Sequence, residues 1–236
     1  MNSPTQDGTA LRVLQATLNV SGVGETLDFD RIAFEARTTE RLVRTTLSGA
    51  LGLNGQDVRL SKELRIRLAM EIARVGQLGA AAKALTWQEF ERFAEGCLEE
   101  AGFEAERNVR VKGEGRSWQI DVVGFRGELV LAIDCKHWNT PSYLSRFKLA
   151  ASHQRHAAFH FLTTPKEKTT AVGKRWQALA VILTLREPPS QFSENAVLVS
   201  VEMLPSFLSG VSPYDENLPF MASPFGLVEN PMSLSK

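Results

Sequence analysis

Leu131-Ala132-Ile133-Asp134-Cys135-Lys136-His137-Trp138 closes an apolar run with a carboxylate and an amine two residues apart. The run reads as a strand, and side chains alternate across a strand. Ala132, Asp134 and Lys136 therefore share one face, while Ile133 and Cys135 point to the other. Upstream, the stretch from Trp118 to Phe125 (WQIDVVGF) reads as a second strand, with Arg126-Gly127 as a short hairpin loop between the two. A loop of those two residues sets Phe125 opposite Glu128 and Asp121 opposite Ala132, and any even loop length keeps the same parity. Asp121, Asp134 and Lys136 are thus expected on one face, with Gln119 opposite Asp134 to position the carboxylate or a water.

A helix precedes this pair of strands. Thr86 and Glu89 of LTWQEF have capping-box spacing, and Leu85 and Phe90 fall where a hydrophobic staple requires them. The helix is expected from Trp87 to about Ala101, stopped by Gly102. Phe90, Ala94, Cys97, Leu98 and Ala101 form its apolar stripe. At about 100° per residue Glu91 lies at the edge of that stripe, near Trp87 and Leu98. Glu89, Glu95, Glu99 and Glu100 lie further round, so Glu91 is the glutamate best placed to face the sheet.

Clustered carboxylates are costly unless something neutralises them. Asp121, Asp134 and the Cys135 backbone carbonyl are hard oxygen donors suited to Mg²⁺ or Mn²⁺. Such an ion polarises a phosphoryl oxygen and activates water, and Lys136 is placed to orient that water or to stabilise developing charge. Phosphodiester hydrolysis is the chemistry that suits this set. The simpler reading of Asp134 and Lys136 alone is a salt bridge along one strand; Asp121 and Glu91 on the same side favour a site.

These residues resemble the PD-(D/E)XK nuclease superfamily: Asp121, twelve intervening residues, then Asp134-Cys135-Lys136, with a helix before them that carries Glu91 eleven residues ahead of Gly102-Phe103. The likeness extends over about residues 86–208 and is greatest to the archaeal Holliday-junction resolvases and the type IV, methyl-directed restriction endonucleases. Ile120 stands where the proline that names the superfamily would be. The resemblance implies an α/β, restriction-endonuclease-like mixed sheet flanked by helices. It implies Glu91, Asp121 and Asp134 as acidic metal-site residues and Lys136 as the catalytic lysine. The activity implied is Mg²⁺- or Mn²⁺-dependent endonucleolytic cleavage of DNA, in restriction or in repair and recombination. A homodimer follows from cutting two strands with two active sites. The rivals are a DNA-binding or scaffold protein on a nuclease fold that no longer cuts, and a structure-specific RNA nuclease.

The rest of the chain sets the context. With 43% apolar and 23% charged residues among 236, the composition is that of a globular protein large enough for one or two cores. No apolar run approaches the roughly 18 residues of a membrane span, and MNSPTQDGTA lacks a secretory pattern, so an intracellular, cytoplasmic protein without an organic cofactor is expected. The 27 basic and 27 acidic residues balance, so a nucleic-acid surface must come from a local patch. Cys97 and Cys135 lie in separate apolar segments and read as free thiols.

Residues 1–80 read as helical. Segments 29–35 and 39–51, either side of Ala36-Arg37-Thr38, have helix-turn-helix spacing, and DVRLS reads as a short strand before a helix over 62–75. Arg37, Arg41, Arg44, Arg59, Arg65, Arg67 and Arg74 suit a winged-helix DNA-binding domain, or the solvated face of a bundle used for dimerisation. Residues 81–212 form the nuclease-like domain, and 213–236, with four prolines, an extended tail. Within the second domain AAFHFLTT reads as a strand, PKEKTTAVGKRWQAL as a helix, and AVILTLRE and AVLVSVEML as strands. A zinc site from HQRHAAFH fails on that reading, because His153 and His156 end a helix while His160 alternates within a strand. His137 and Trp138, just past Lys136, are candidate substrate contacts through charge and stacking.

Overall fold

The structure is a computed structural model that describes residues 4–53, 58–138, 144–163 and 176–222. The chain divides into two compact units, Met1–Gly96 and Cys97–Lys236.

The first unit is helical: α1 (Pro4–Val20), α2 (Phe29–Glu35), α3 (Glu40–Leu51), α4 (Lys62–Arg74), α5 (Leu78–Lys83) and most of α6 (Trp87–Glu100). Capping side chains start three of them. Asp28 accepts from the Arg31 amide, Thr39 from Leu42 and Ser61 from Leu64, each satisfying an amide the helix itself cannot. At α6 the capping box is reciprocal: the Thr86 amide donates to Glu89 Oε2 at 2.8 Å, and the Glu89 amide to Thr86 Oγ1 at 3.3 Å. Val13, Ile32, Val43, Leu47, Leu60, Leu68 and Ile72 are buried from solvent. DVRLS supplies one antiparallel bridge, Arg59 with Thr26, rather than a strand.

Arg65 departs from the expected solvated arginine face. It is buried, and its guanidinium donates to Glu89 Oε1 at 2.7 Å and to the carbonyls of Leu18, Ser21 and Ala84. The pair thereby ties together the ends of α1, α5 and α6. Burial alone would raise the Glu89 carboxyl, but the Thr86 amide and the Arg65 guanidinium together hold it below its ordinary range.

The second unit is built on a seven-stranded mixed sheet. Its strands are β1 (Glu104–Gly113), β2 (Arg116–Arg126), β3 (Leu129–Lys136), β4 (Gln177–Thr184), β5 (Phe192–Ser193), β6 (Ala196–Ser200) and β7 (Met221–Ala222). They lie in the order β1-β2-β3-β4-β6-β5, with β7 against β4. β3, β4 and β6 are parallel and the other pairs antiparallel. Such a parallel pair requires a crossover, and α7 (Leu144–Thr163) lies between β3 and β4 in the chain. α7 covers one face with Phe147, Ala151, Ala157, Ala158 and Phe161, packed over Trp118, Ile120, Val130, Ala132, Ala180 and Ile182. On another part of β2, Leu98 approaches Gly124 so closely that a Cβ there would lie 2.2 Å from Leu98 Cδ2. The chain ends its described part with α8 (Leu204–Gly210) and β7. No helix among the described residues is long and apolar enough to cross a membrane.

Three sequence expectations change here. Ala157–Thr163, all of AAFHFLTT but its last residue, is the end of α7, not a strand: burial at Phe147, Ala151, Gln154, Ala157, Ala158 and Phe161 follows helical spacing, and a short apolar run cannot by itself separate the two periods. The hairpin loop is Gly127-Glu128, one residue later than expected, because Gly127 takes the left-handed φ of 62° that suits the first central position. Arg126 therefore pairs with Leu129, and the step beyond Val122↔Ile133 sets Asp121 beside Asp134 instead of Ala132. Gln119 lies beyond the end of that ladder, and its side chain reaches Asp121 rather than Asp134. The expected helix over PKEKTTAVGKRWQAL falls mostly on 165–175, outside the described residues, and its last residues, Gln177-Ala178-Leu179, begin β4.

Candidate active site

The site lies where β2 and β3 part. β3 is held centrally by β2 and β4, and its side chains are buried from Leu129 to Asp134. Alternation carries Val130, Ala132, Asp134 and Lys136 down one face, the face that α7 covers over Val130 and Ala132.

β2 does not alternate regularly. Trp118 and Ile120 face the same core as Val123, so the period slips by one residue across Asp121-Val122. The β1–β2 ladder skips the Asn108–Asp121 pair at that level, and Asn108 takes a positive φ of 55°. The register is the same on both sides of this break, so no residue is inserted, but the break re-aims a side chain. The side chain it re-aims is Asp121. Its Oδ2 accepts the Cys135 amide at 2.9 Å, taking the place of a backbone partner just past the end of the β2–β3 ladder. Its Oδ1 lies 3.4 Å from Gln119 Nε2.

Asp134 is nine-tenths buried and adjoins Asp121. Lys136 Nζ reaches both of its oxygens, at 2.8 Å from Oδ1 and 2.7 Å from Oδ2. Burial raises the Asp134 carboxyl most, the Lys136 ammonium pulls it down, and the neighbouring Asp121 carboxylate raises it again; the balance is a pKa pushed up to about 6. The structure thus brings Asp121, Asp134, Lys136 and Gln119 together.

Glu91 is buried on α6 in the N-terminal unit. The helix face also held a residue that the stripe argument set aside: Glu89 is buried too, in the ion pair with Arg65. Trp87, taken as part of the stripe's surroundings, is 60% exposed. Trp138 is half-buried, its ring 5.1 Å from Phe147 edge-on and under the Arg146 guanidinium at 4.2 Å, so it packs on the start of α7. His137 is also half-buried, beside it in sequence. Neither Cys97 nor Cys135 is in a disulfide, and burial, with Glu100 nearby, pushes the Cys97 thiol up to about 12.

The histidines are arranged differently from the sequence reading. With His160 in α7, His153, His156 and His160 share one face of a single helix and surround Trp118, at centroid distances of 5.0, 5.5 and 5.3 Å. Among the described residues no group of three or more His, Cys, Asp or Glu side chains is gathered to hold a metal ion. The donor chemistry at Asp121 and Asp134 nonetheless fits Mg²⁺, which is commonly held by one or two carboxylates together with waters and substrate oxygens. Burial, with Asp121 beside it, raises the Asp134 carboxyl even though Lys136 bonds both its oxygens, so added positive charge there would favour its ionised form.

Residues 82–183 match the family model Mrr_cat, described as restriction endonuclease. No curated protein matches. Two solved structures are similar. A protein of unknown function, AF1548, shares 26% identity over 49% of this chain and 58% of its own, with a TM-score of 0.32. Protein VC1899 from Vibrio cholerae shares 13% identity over 89% of this chain and 56% of its own, with a TM-score of 0.37. The chain thus spans little more than half the length of either.

Proposed function

We propose that this chain, whose residues 82–183 match a restriction-endonuclease family model, is a metal-dependent endonuclease that hydrolyses phosphodiester bonds in DNA. The observation that carries the reading is the convergence of Asp121 and Asp134 at the point where β2 and β3 part, with Lys136 on the second carboxylate. A buried carboxylate beside a half-buried one, with a single ammonium on the pair, suits a site that receives further positive charge.

Asp121, Asp134 and the Cys135 carbonyl would hold Mg²⁺ or Mn²⁺, and Glu91 is the further acid that the sequence pattern nominates. The bound ion supplies Lewis acidity toward a phosphoryl oxygen. The chain's own groups do the rest. Asp134 must be ionised to serve as a ligand, so its proton leaves before the site is competent. Lys136 Nζ, held by Asp134, is aimed to donate to charge that develops on the phosphoryl oxygens or to orient the attacking water. Gln119 and Asp121 share a hydrogen bond that limits the rotation of the Asp121 carboxylate.

Residues 1–80 are proposed as a winged-helix-like DNA-binding region, supported by α2, the Ala36–Thr39 turn, α3 and the Thr26–Arg59 bridge. Residues 81–212 carry the nuclease, and 213–236 follow as a tail. A homodimer with two sites, acting on DNA in the cytoplasm, completes the proposal. The test is incubation of the full chain with four-way junctions, modified and plain duplexes, flaps and single strands in Mg²⁺ or Mn²⁺. Metal-dependent cleavage of at least one substrate is expected. Absence of cleavage on all of them would favour the rival, a DNA-binding protein in which Lys136–Asp134 is only a strand salt bridge.

A further inference from the structure

The α7 histidines and Arg116 are not used by the chemistry above, yet they adjoin it. Trp118 is buried and donates its indole N–H to the Gly113 carbonyl at 3.1 Å, which fixes the ring. Around it stand His153, His156 and His160, with the Arg116 guanidinium 3.5 Å from the ring centroid. His160 is buried against Gly113, where a Cβ would collide with the ring at 2.2 Å, and its Nε2 is 3.6 Å from Glu114. His153, His156 and Arg116 are exposed.

The field around His153 is cationic. Partial desolvation of this otherwise exposed ring lowers its pKa most, then Arg116, Lys136 and His156 lower it further, and Asp121 opposes them. The charged and titratable groups facing these imidazoles are Arg116 and Asp121 from β2, Glu114 from the β1–β2 turn, Lys136 from β3, and the histidines themselves along α7. Among the described residues no carboxylate pairs with Arg116. An exposed arginine flanked by two exposed imidazoles, beside the candidate site, suits an anion.

We propose that Arg116, His153 and His156 form a phosphate-binding surface that holds the DNA backbone next to the Asp121–Asp134–Lys136 site. The inference rests on the nuclease reading for the identity of the polyanion. Arg116 is stacked on Trp118, so little freedom is lost when its donors meet a phosphate. His156 adds a proton requirement. Its Nδ1 is 2.7 Å from the Ser152 carbonyl, which can only accept, so Nδ1 carries the hydrogen and neutral Nε2 has only a lone pair to offer. Only after protonation does Nε2 become a donor to a phosphate oxygen. Backbone binding at this surface is therefore coupled to proton uptake, and DNA tightens the hold on those protons.

The experiment measures binding of fluorescein-labelled duplex and single-stranded DNA to the full chain in EDTA, at about pH 5.5 and pH 8, on either side of the ordinary histidine range. Wild type is expected to bind on the order of tenfold more tightly at the lower pH, and H153Q/H156Q to lose most of that gain. R116Q is expected to weaken binding at both pH values. Calorimetry in two buffers of different ionisation enthalpy should show about one to two protons taken up per DNA by wild type near pH 6.5 and fewer by the double variant, a signature that a packing role would not move. Thermal unfolding of each variant identifies loss of fold, and with it the single variant H156Q replaces the double one. Wild type and variants that bind alike at both pH values, or a wild type that does not bind DNA, would overturn the inference. pH-dependent binding that the variants lose, without cleavage by wild type in Mg²⁺ or Mn²⁺, would sink the nuclease reading and leave the surface standing.

Discussion

Replacing Asp134 with Asn tests the electrostatics of the site without any metal or DNA. The Asp134 carboxyl titrates at about 6 in the folded chain against 3.8 for an ordinary aspartate, because burial and Asp121 outweigh Lys136. At about 1.36 kcal/mol per pH unit, keeping this side chain ionised costs the native state about 3 kcal/mol. The sign follows from the direction of the shift. A carboxyl whose folded pKa is raised contributes its stability in full below the unfolded pKa, and that contribution is lost as pH rises through the folded value. Wild type should therefore lose about 3 kcal/mol relative to D134N between about pH 4 and pH 6, and the gap should stay constant above that. Asparagine mimics the protonated form, so the variant should be the more stable one at pH 8. Urea unfolding in EDTA, followed by circular dichroism at half-unit pH intervals, measures the gap. Because the chain has two units, the transition that reports the sheet is the one compared. A gap that is the same at pH 4 and pH 8, or a D134N that is less stable at pH 8, would refute the assignment of Asp134 as a strained, under-compensated carboxylate.

Other consequences can be checked on stability and reactivity. Replacing Arg65 with Met should destabilise the chain by about 3–5 kcal/mol in urea unfolding, since it strands the buried Glu89 carboxylate and three carbonyl acceptors. The lowered Glu89 pKa gives the opposite pH sign to Asp134: the stability it contributes is present above the unfolded value of 4.5 and is lost as pH falls through the folded one, so R65M should narrow the gap to wild type in acid. Gly124→Ala should cost about 1–3 kcal/mol, because the new Cβ meets fully buried Leu98 at 2.2 Å; a neutral effect would mean that the Leu98 contact is not tight. Cys97, its thiol pushed up to about 12, should resist iodoacetamide at pH 8 in the native protein and react only on unfolding.

Much of the site was written in local sequence. The capping box at Thr86 and Glu89 forms as its spacing requires, and the strand parity that joined Asp134 to Lys136 depends only on adjacent residues. The parts that were not legible depend on contacts between distant segments. No pattern around Asp121 reveals the slip in β2; it becomes visible only with Asn108 across the ladder and the Cys135 amide that the carboxylate caps. The expected alternation reached a correct neighbourhood for Asp121 through a hairpin loop placed one residue early and a strand assumed to be regular. Ala157 to Thr163 alternates well enough to pass for a strand, and only the burial of Phe147, Ala151 and Gln154 on the same stripe shows the helix to be continuous. That one misreading separated His160 from His153 and His156 and hid the cluster around Trp118. The role of Glu89 was hidden likewise, since its partner Arg65 lies 24 residues away in a helix whose arginines read as solvated.

The most direct test of the account is the single-turnover rate of DNA cleavage by Lys136→Gln and Asp121→Asn against wild type, at saturating DNA and Mg²⁺ or Mn²⁺. If Asp121, Asp134 and Lys136 are the hydrolytic centre, each variant should cut at least about a hundredfold more slowly while its DNA affinity in EDTA stays near wild type. Rates within twofold of wild type for both variants would contradict the account.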